Sequence, residues 1–182
     1  MKTVHYSGKF LRFCTDDTFE FVERVNAKSV VAVIATTDVI VSGCVKPDRQ
    51  YILTEQYRKA VDRMVIDIPA GLCGDIHTET TTIAALREMA EEVGYSAQNI
   101  NWVARYPTTA GLTNETVEYF LCTNAYKISE GGGEPGTDEK IIVHTPSLWA
   151  IDTWLKDQIA AGKMIDPKVY VGLHFIDQSR TT

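Results

Sequence analysis

The stretch Arg87-Glu88-Met89-Ala90-Glu91-Glu92-Val93-Gly94-Tyr95 constrains this chain more than any other. Ala84, Ala85, Leu86, Met89, Ala90 and Val93 all suit a helix, and no proline or glycine interrupts them before Gly94. Gly94 then makes a good stop, because glycine takes the left-handed conformation at a helix end at little cost. On an α-helix Glu88, Glu91 and Glu92 stand at i, i+3 and i+4, so three carboxylates project from one face. Like charges at that spacing repel by roughly a few tenths of a kcal/mol per pair, and the helix dipole disfavours acids near the C-terminal end. Two readings stay open: a solvated acidic face, or oxygen donors for a hard divalent cation, which would offset the repulsion. Upstream, Ile68-Pro69-Ala70-Gly71 reads as a strand ending in a tight loop, whose carbonyl could join the cluster.

Glu79, seven residues, and then Arg87 to Tyr95 resemble the Nudix box, G-x5-E-x7-R-E-U-x-E-E-x-G-U, where U is apolar. Every fixed position from Glu79 to Gly94 is matched. Three departures stand beside this. Cys73 occupies the position of the box glycine; Pro69-Ala70-Gly71-Leu72 fits the family's Pro-Ala-Gly-Leu loop only with seven residues before Glu79, a two-residue insertion; and Tyr95 fills the last apolar position. The resemblance implies an α/β fold, the Nudix α/β/α sandwich with a mixed sheet. It also implies Mg2+ or Mn2+ held by Glu88, Glu91, Glu92 and the Ala70 carbonyl, with Glu79 and Arg87 as a supporting pair.

Two more segments narrow the resemblance. Glu55-Gln56-Tyr57-Arg58 is similar to the Glu-Gln-Tyr/Phe-Arg stretch of the ADP-ribose and nucleotide-sugar branch, which assigns Glu55 and Arg58 to the substrate. Arginine suits phosphate because its planar fork donates two parallel bonds. The loop from Pro107 to Glu115 resembles the branch's Ser-Pro-Gly-x-x-x-Glu loop, with Thr109-Ala110-Gly111 in place of Ser-Pro-Gly. By that likeness Glu115 is the candidate general base, Glu118 is the alternative or a further metal ligand, and Glu139 is one more carboxylate near the substrate. The implied activity is metal-dependent hydrolysis of a nucleoside diphosphate sugar, such as ADP-ribose or GDP-mannose, to a nucleoside monophosphate and a sugar phosphate. The alternatives are a (d)NTP or housecleaning pyrophosphohydrolase and, from another class, a nucleotide-binding regulator without turnover. Members of the branch are usually dimers through their N-terminal strands, so a homodimer is expected.

Composition agrees with these expectations. A chain of 182 residues suits one domain, here 1–182 with an N-terminal β segment over 1–28. A net charge of −6 argues against a sequence-independent nucleic-acid binder, which needs a basic stripe. No basic stretch followed by an apolar run opens the chain, and no run approaches the ~20 apolar residues of a membrane span. Cys14, Cys44, Cys73 and Cys122 are spread without a C-x-x-C pair, as expected of free thiols in the cytoplasm.

The remaining pattern predicts elements in order. Val4–Phe13 and Thr18–Val25 read as a hairpin or meander, either an edge of the core sheet or a small appended sheet. The β-branched run from Ser29 to Ile34 predicts a buried strand, followed by strands over 50–57, 65–69, 100–106, 116–123 and 138–144. Thr78 is the expected cap of the box helix, with Glu79 in its first turn. Ser129 to Thr137 reads as a glycine-rich loop. Ser147–Ala161 predicts an amphipathic helix burying Leu148, Trp149, Ile151, Trp154, Leu155 and Ile159, and Pro167 opens a last helix to about Asp177.

Overall fold

The computed structural model describes residues 1–25, 29–74, 79–133 and 140–179. It begins with a meander of β1 (Lys2–Ser7), β2 (Leu11–Asp16) and β3 (Phe19–Arg24), all antiparallel. These strands form a sheet of their own, not an edge of the core sheet. Every residue of β1 is exposed, and Cys14 is the one fully buried residue of the three strands.

The chain continues through β4 (Ser29–Val39), β5 (Asp48–Arg58), β6 (Arg63–Asp67) and β7 (Ala70–Cys73). Helix α1 (Thr81–Glu88) follows, and runs directly into a π-turn over Met89–Val93. Next come β8 (Tyr95–Ser96), β9 (Asn101–Pro107), β10 (Thr116–Cys122), β11 (Tyr126–Lys127) and β12 (Ile142–His144). Helix α2 (Ile151–Ala160), β13 (Met164–Ile165) and α3 (Pro167–Gln178) complete the fold. The main sheet has the order β13-β6-β5-β4-β10-β9, with β12 also on β5 and β7 also on β4; β8 and β11 pair apart from it. β10 with β4 and β13 with β6 are parallel and the other pairs antiparallel, so the sheet is mixed.

The β-branched run of β4 is apolar on both sides because it is covered on both sides. Val31, Val33 and Ala35 pack with Ala84, Ala85, Met89 and Val93 of the box helix and with Phe120. Ala32 and Ile34 face Tyr51, Ile66, Leu155, Val169 and Ile176 beneath α2 and α3. Burial of each valine, leucine, isoleucine, methionine or phenylalanine among them stabilises by roughly 1.5–3 kcal/mol, and the two layers define an α/β/α sandwich. At Gly172 of α3 a Cβ would fall 1.8 Å from the buried Tyr51 hydroxyl, so only glycine lets that helix approach.

What positions the site is an exchange of strand partners. β4 and β5 pair only over Ala35–Val39 against Asp48–Ile52. Beyond that point β4 pairs with β7 and β10, while β5 pairs with β6 and β12. The short link from Asp67 to Ala70 therefore crosses between the two groups of strands. The Pro69 carbonyl on that link accepts from Val33 N at 2.8 Å.

Several expectations need correction. The Ala70–Leu72 segment is not a loop but part of β7, because its backbone finds the free edge of β4. Thr78 lies outside the described residues; the cap of α1 is Thr80, whose hydroxyl accepts from Ile83 N at 3.3 Å, so Glu79 precedes the helix instead of sitting in its first turn. The acids Glu91 and Glu92 stand on a π-turn, so the simple α-helical face drawn from their spacing does not hold. In the α2 region Leu148, Ile151 and Leu155 are buried, but Trp149 is 85% exposed and Ile159 is exposed. Among the described residues no helix is long and apolar enough to cross a membrane.

Candidate active site

Arg87 is the hub of the acidic box. Its Nε and Nη2 donate to the two oxygens of Glu79 at 3.0 and 3.2 Å, and Nη2 also donates to the Leu72 carbonyl at 3.2 Å. Its Nη1 reaches Glu88 Oε1 at 2.8 Å and Glu91 Oε2 at 3.0 Å. The bonds it donates to Glu79, and then the charge of Glu88 and the bond to Glu91, outweigh burial and hold this guanidinium protonated even more firmly than usual. Glu79 and Arg87 thus form an ion pair. The Glu79 side chain is only 5% exposed and that of Arg87 23%, so the bidentate ion pair is partly buried.

The glutamates abut β7. Glu92 Oε2 accepts from Ala70 N at 3.0 Å. The Glu88 carboxyl fills the space beside Gly71, where a Cβ would fall 2.0 Å from its Cδ. Arg87 draws Glu88 and Glu91 to itself, and among the described residues no three acidic, histidine or cysteine side chains already converge as a metal centre. The side chains nevertheless fit a hard cation, for Glu88, Glu91 and Glu92 offer carboxylate oxygens. The side-chain-free cradle at Gly71 is what leaves room for Glu88 within it.

The other side of β7 opens on a cleft of about 510 Å3, within the size range of small-molecule sites. Ala70, Gly71 and Leu72 form one wall, Arg58 and Val61 another, and Asp166, Pro167 and Lys168 a third; Arg24 and Glu115 reach in from the remaining side. Arg24 Nε donates to Glu115 Oε2. Around this pair the N-terminal sheet grips the 109–115 loop: Val22 N donates to the Leu112 carbonyl at 2.8 Å, and Asn114 Nδ2 to Glu23 Oε1 at 3.2 Å. At the back, the Lys168 ammonium lies 3.0 Å from Asp67 and 2.8 Å from Asp166. Burial pushes the Asp67 carboxyl up to about 6, against the pull of Lys168.

The structure thus brings Arg58 and Glu115 into one cleft with Ala70, and sets Glu88 and Glu92 against its wall. Glu118 does not line the cleft: strand alternation puts it on the α1 side with Phe120 and Cys122, the face that carries the box helix, while Val117 faces the cleft. Glu55 is buried and does not line the cleft. It accepts from Lys163 Nζ at 2.7 Å and pairs with His144 Nε2 at 2.7 Å. Burial alone would raise the Glu55 carboxyl, but these two partners outweigh it and hold the group below its usual value. Glu139 lies outside the described residues. Sequence reasoning missed Arg24, Asp67 and Lys168. No spacing connects them to the box, because each is brought in by a different strand or helix; the acid directly before Ile68-Pro69 is the one local hint.

No family model matches the chain. A methanol dehydrogenase activator from Bacillus methanolicus is 26% identical over 177 residues, 94% of this chain and 87% of that protein. An ADP-ribose pyrophosphatase from Bacillus subtilis is 30% identical over 135 residues, 69% of this chain, and one from Mycobacterium tuberculosis is 31% identical over 111 residues, 61% of this chain. The matched segments span 65% and 47% of those two relatives. Among solved structures, an ADP compounds hydrolase superposes with a TM-score of 0.61 at 15% identity, over 86% of this chain and 80% of that one, which is a likeness of fold. The two Bacillus subtilis and Mycobacterium tuberculosis relatives are both named ADP-ribose pyrophosphatases. Together with the box, the likeness to these pyrophosphatases supports a Nudix hydrolase reading, and the solved structure supports the fold alone.

Proposed function

We propose that the chain is a divalent-metal-dependent pyrophosphohydrolase that cleaves nucleoside diphosphate sugars, ADP-ribose foremost, to a nucleoside monophosphate and a sugar phosphate. The observation that carries this is the cleft beside β7, where the box glutamates back one wall and Arg24, Arg58 and Glu115 enter from the others. Glu88, Glu91, Glu92 and the Ala70 carbonyl would hold Mg2+ or Mn2+. A cation there supplies charge neutralisation at the diphosphate oxygens and a lowered pKa for bound water. The protein's own part is largely positioning, as phosphoryl chemistry requires. Arg58 donates to phosphate oxygens, and Glu115 accepts the proton of the attacking water once its carboxylate is released from Arg24. Arg24 is then free to turn its fork on the diphosphate. The apolar side of the cleft, Val61, Met164 and Ile165 among it, excludes water from the rest of the ligand.

The test is a panel of ADP-ribose, nucleotide sugars and NTPs incubated with the protein and Mg2+, with products resolved by chromatography. Nucleoside monophosphate plus sugar phosphate, abolished by EDTA, is the expected result. Inorganic pyrophosphate released from an NTP would move the protein to the triphosphate branch instead. A second reading has one observation in its favour: a relative that matches 94% of the chain is named an activator of another enzyme. A nucleotide-binding regulator would bind the panel without turnover.

A homodimer belongs to the same proposal. Val4, Tyr6, Phe10, Leu11 and Phe19 are exposed on a three-stranded sheet that buries almost nothing of its own, and such a sheet needs an apolar cover to be stable. Light scattering at twice the monomer mass is expected. We also infer a reducing, cytoplasmic setting, since Cys14, Cys44, Cys73 and Cys122 are all free thiols and three of them are buried.

A further inference from the structure

The segment Gly131-Gly132-Gly133 is read from the sequence only as a flexible loop, yet the structure lays it against the end of the acidic box. Gly132 N donates to the Glu92 carbonyl at 2.9 Å, and Gly133 N to the Glu91 carbonyl at 3.1 Å. Just before them, Ile128 N and Ser129 N both donate to the Gly94 carbonyl, at 2.8 and 3.1 Å. Just after, the chain returns so that Ile141 N donates to the Gly132 carbonyl at 3.1 Å. The contact requires glycine on both sides. A Cβ at Gly131 would fall 2.5 Å from the Val93 carbonyl carbon and 2.7 Å from the Glu92 oxygen; one at Gly94 would fall 2.2 Å from the Ser129 oxygen. Those are backbone atoms, which cannot rotate aside. All three glycines also hold positive φ, at 68°, 111° and 112°.

Termination of the helix does not require this arrangement. Gly94 already turns the chain in the left-handed region, and its own N–H caps the carbonyls of Ala90 and Met89. What the triglycine segment adds is a partner for the carbonyls of the two acids themselves, which a helix C-terminus leaves without intrahelical donors. The acids stand on a π-turn, a geometry rare in helices and frequent at functional sites. Where a π-turn rather than an α-turn carries Glu91 and Glu92, the direction of both side chains changes, and Glu92 reaches Ala70 N.

We infer that the Gly131–Gly133 turn is a positioning element of the acidic box: by donating to the backbone carbonyls of Glu91 and Glu92 it fixes the π-turn that aims their carboxylates, and so sets the affinity for a divalent cation without touching it. The inference rests on the metal reading of the box given above. Groups that orient ligands in this indirect way typically change metal affinity by roughly 10–100-fold when lost.

The first variant is Gly131→Ala, with Gly162→Ala as its control. Gly162 has φ of 84° but open space around its Cβ position, so it carries a left-handed strain remote from the box. Mn2+ binding is followed by the electron paramagnetic resonance of the free ion, and folding by circular dichroism. Gly131→Ala is expected to weaken Mn2+ binding roughly 10–100-fold while Gly162→Ala leaves it unchanged. A folded Gly131→Ala protein that binds Mn2+ as the unaltered protein does would overturn the inference. Should that variant not fold, the unaltered protein decides by amide NMR during Mg2+ titration. Shifts and slowed exchange at Gly132 and Gly133 alongside Glu91 and Glu92 support it; a response at the glutamates with none at the glycines overturns it. No Mg2+ response at Glu88, Glu91 or Glu92 would overturn the metal reading, and the inference with it.

Discussion

Gly71→Ala separates the site from the fold. Gly71 lies in β7 with φ outside the left-handed region, so its backbone accepts alanine without strain. The new methyl would fall 2.0 Å from Glu88 Cδ and Oε1 and 2.4 Å from Oε2. These atoms form the far end of a rotatable side chain, so the collision is relieved by moving Glu88 and not by moving β7. The carboxyl must withdraw by about 1 Å to reach even a tight 3.0 Å contact, and misplacement on that scale costs on the order of 100-fold in rate. That corresponds to roughly 2.7 kcal/mol of barrier. Stability should hold or rise by about 0.4–1 kcal/mol, because alanine narrows the unfolded ensemble. The assay is kcat/KM for ADP-ribose with Mg2+, read beside urea unfolding of the same sample. A stably folded Gly71→Ala protein with undiminished kcat/KM would refute the claim that Glu88 acts from the space beside Gly71.

Three further outcomes are expected. Glu92→Gln keeps an oxygen for Ala70 N, so the fold should persist while kcat falls by orders of magnitude; an active, folded variant would sink the metal assignment. Arg87→Leu strands the buried Glu79 carboxylate and should lower unfolding free energy by about 3–5 kcal/mol, measured by urea denaturation. Asp67 has a folded pKa of about 6, raised above its unfolded value, so its contribution to stability is fully present below about pH 4 and is lost as pH rises through 6. Unfolding free energies taken from pH 4 to 7 should show the unaltered protein falling relative to Asp67→Asn by on the order of 2–3 kcal/mol; parallel profiles would contradict the assigned titration.

What the sequence revealed and what it hid divide along sequence distance. The strand β4 was legible because both of its faces are buried, which demands an unbroken β-branched run. The Glu79–Arg87 pair was legible through the likeness to the box, which sets the two positions eight residues apart. Glu115 could be named only by likeness of its loop, and its partner Arg24 not at all, since the two meet across 91 positions. The short strand β7 was hidden because four residues, one of them glycine, carry too little alternation to betray a strand; the free edge of β4 makes it one. The π-turn left no trace, because helical spacing assumes 3.6 residues per turn and the donors that seal the insertion come from residues 132 and 133. Trp149 reads as core by helical periodicity, but the helix begins only at Ile151, so the stripe does not extend back to it.

The contacts that tie the N-terminal sheet to the 109–115 loop also bear on the order in which this molecule assembles. The box and its arginine close over a short stretch of chain, with little loop entropy to overcome. The cleft depends on pairings such as Arg24 with Glu115, 91 positions apart, and Lys168 with Asp67, which must await the collapse of the core. A nascent or partly unfolded chain will therefore assemble its acidic box before it assembles the cleft. The cleft is completed last, when the first strands of the chain return to meet a loop made far behind them.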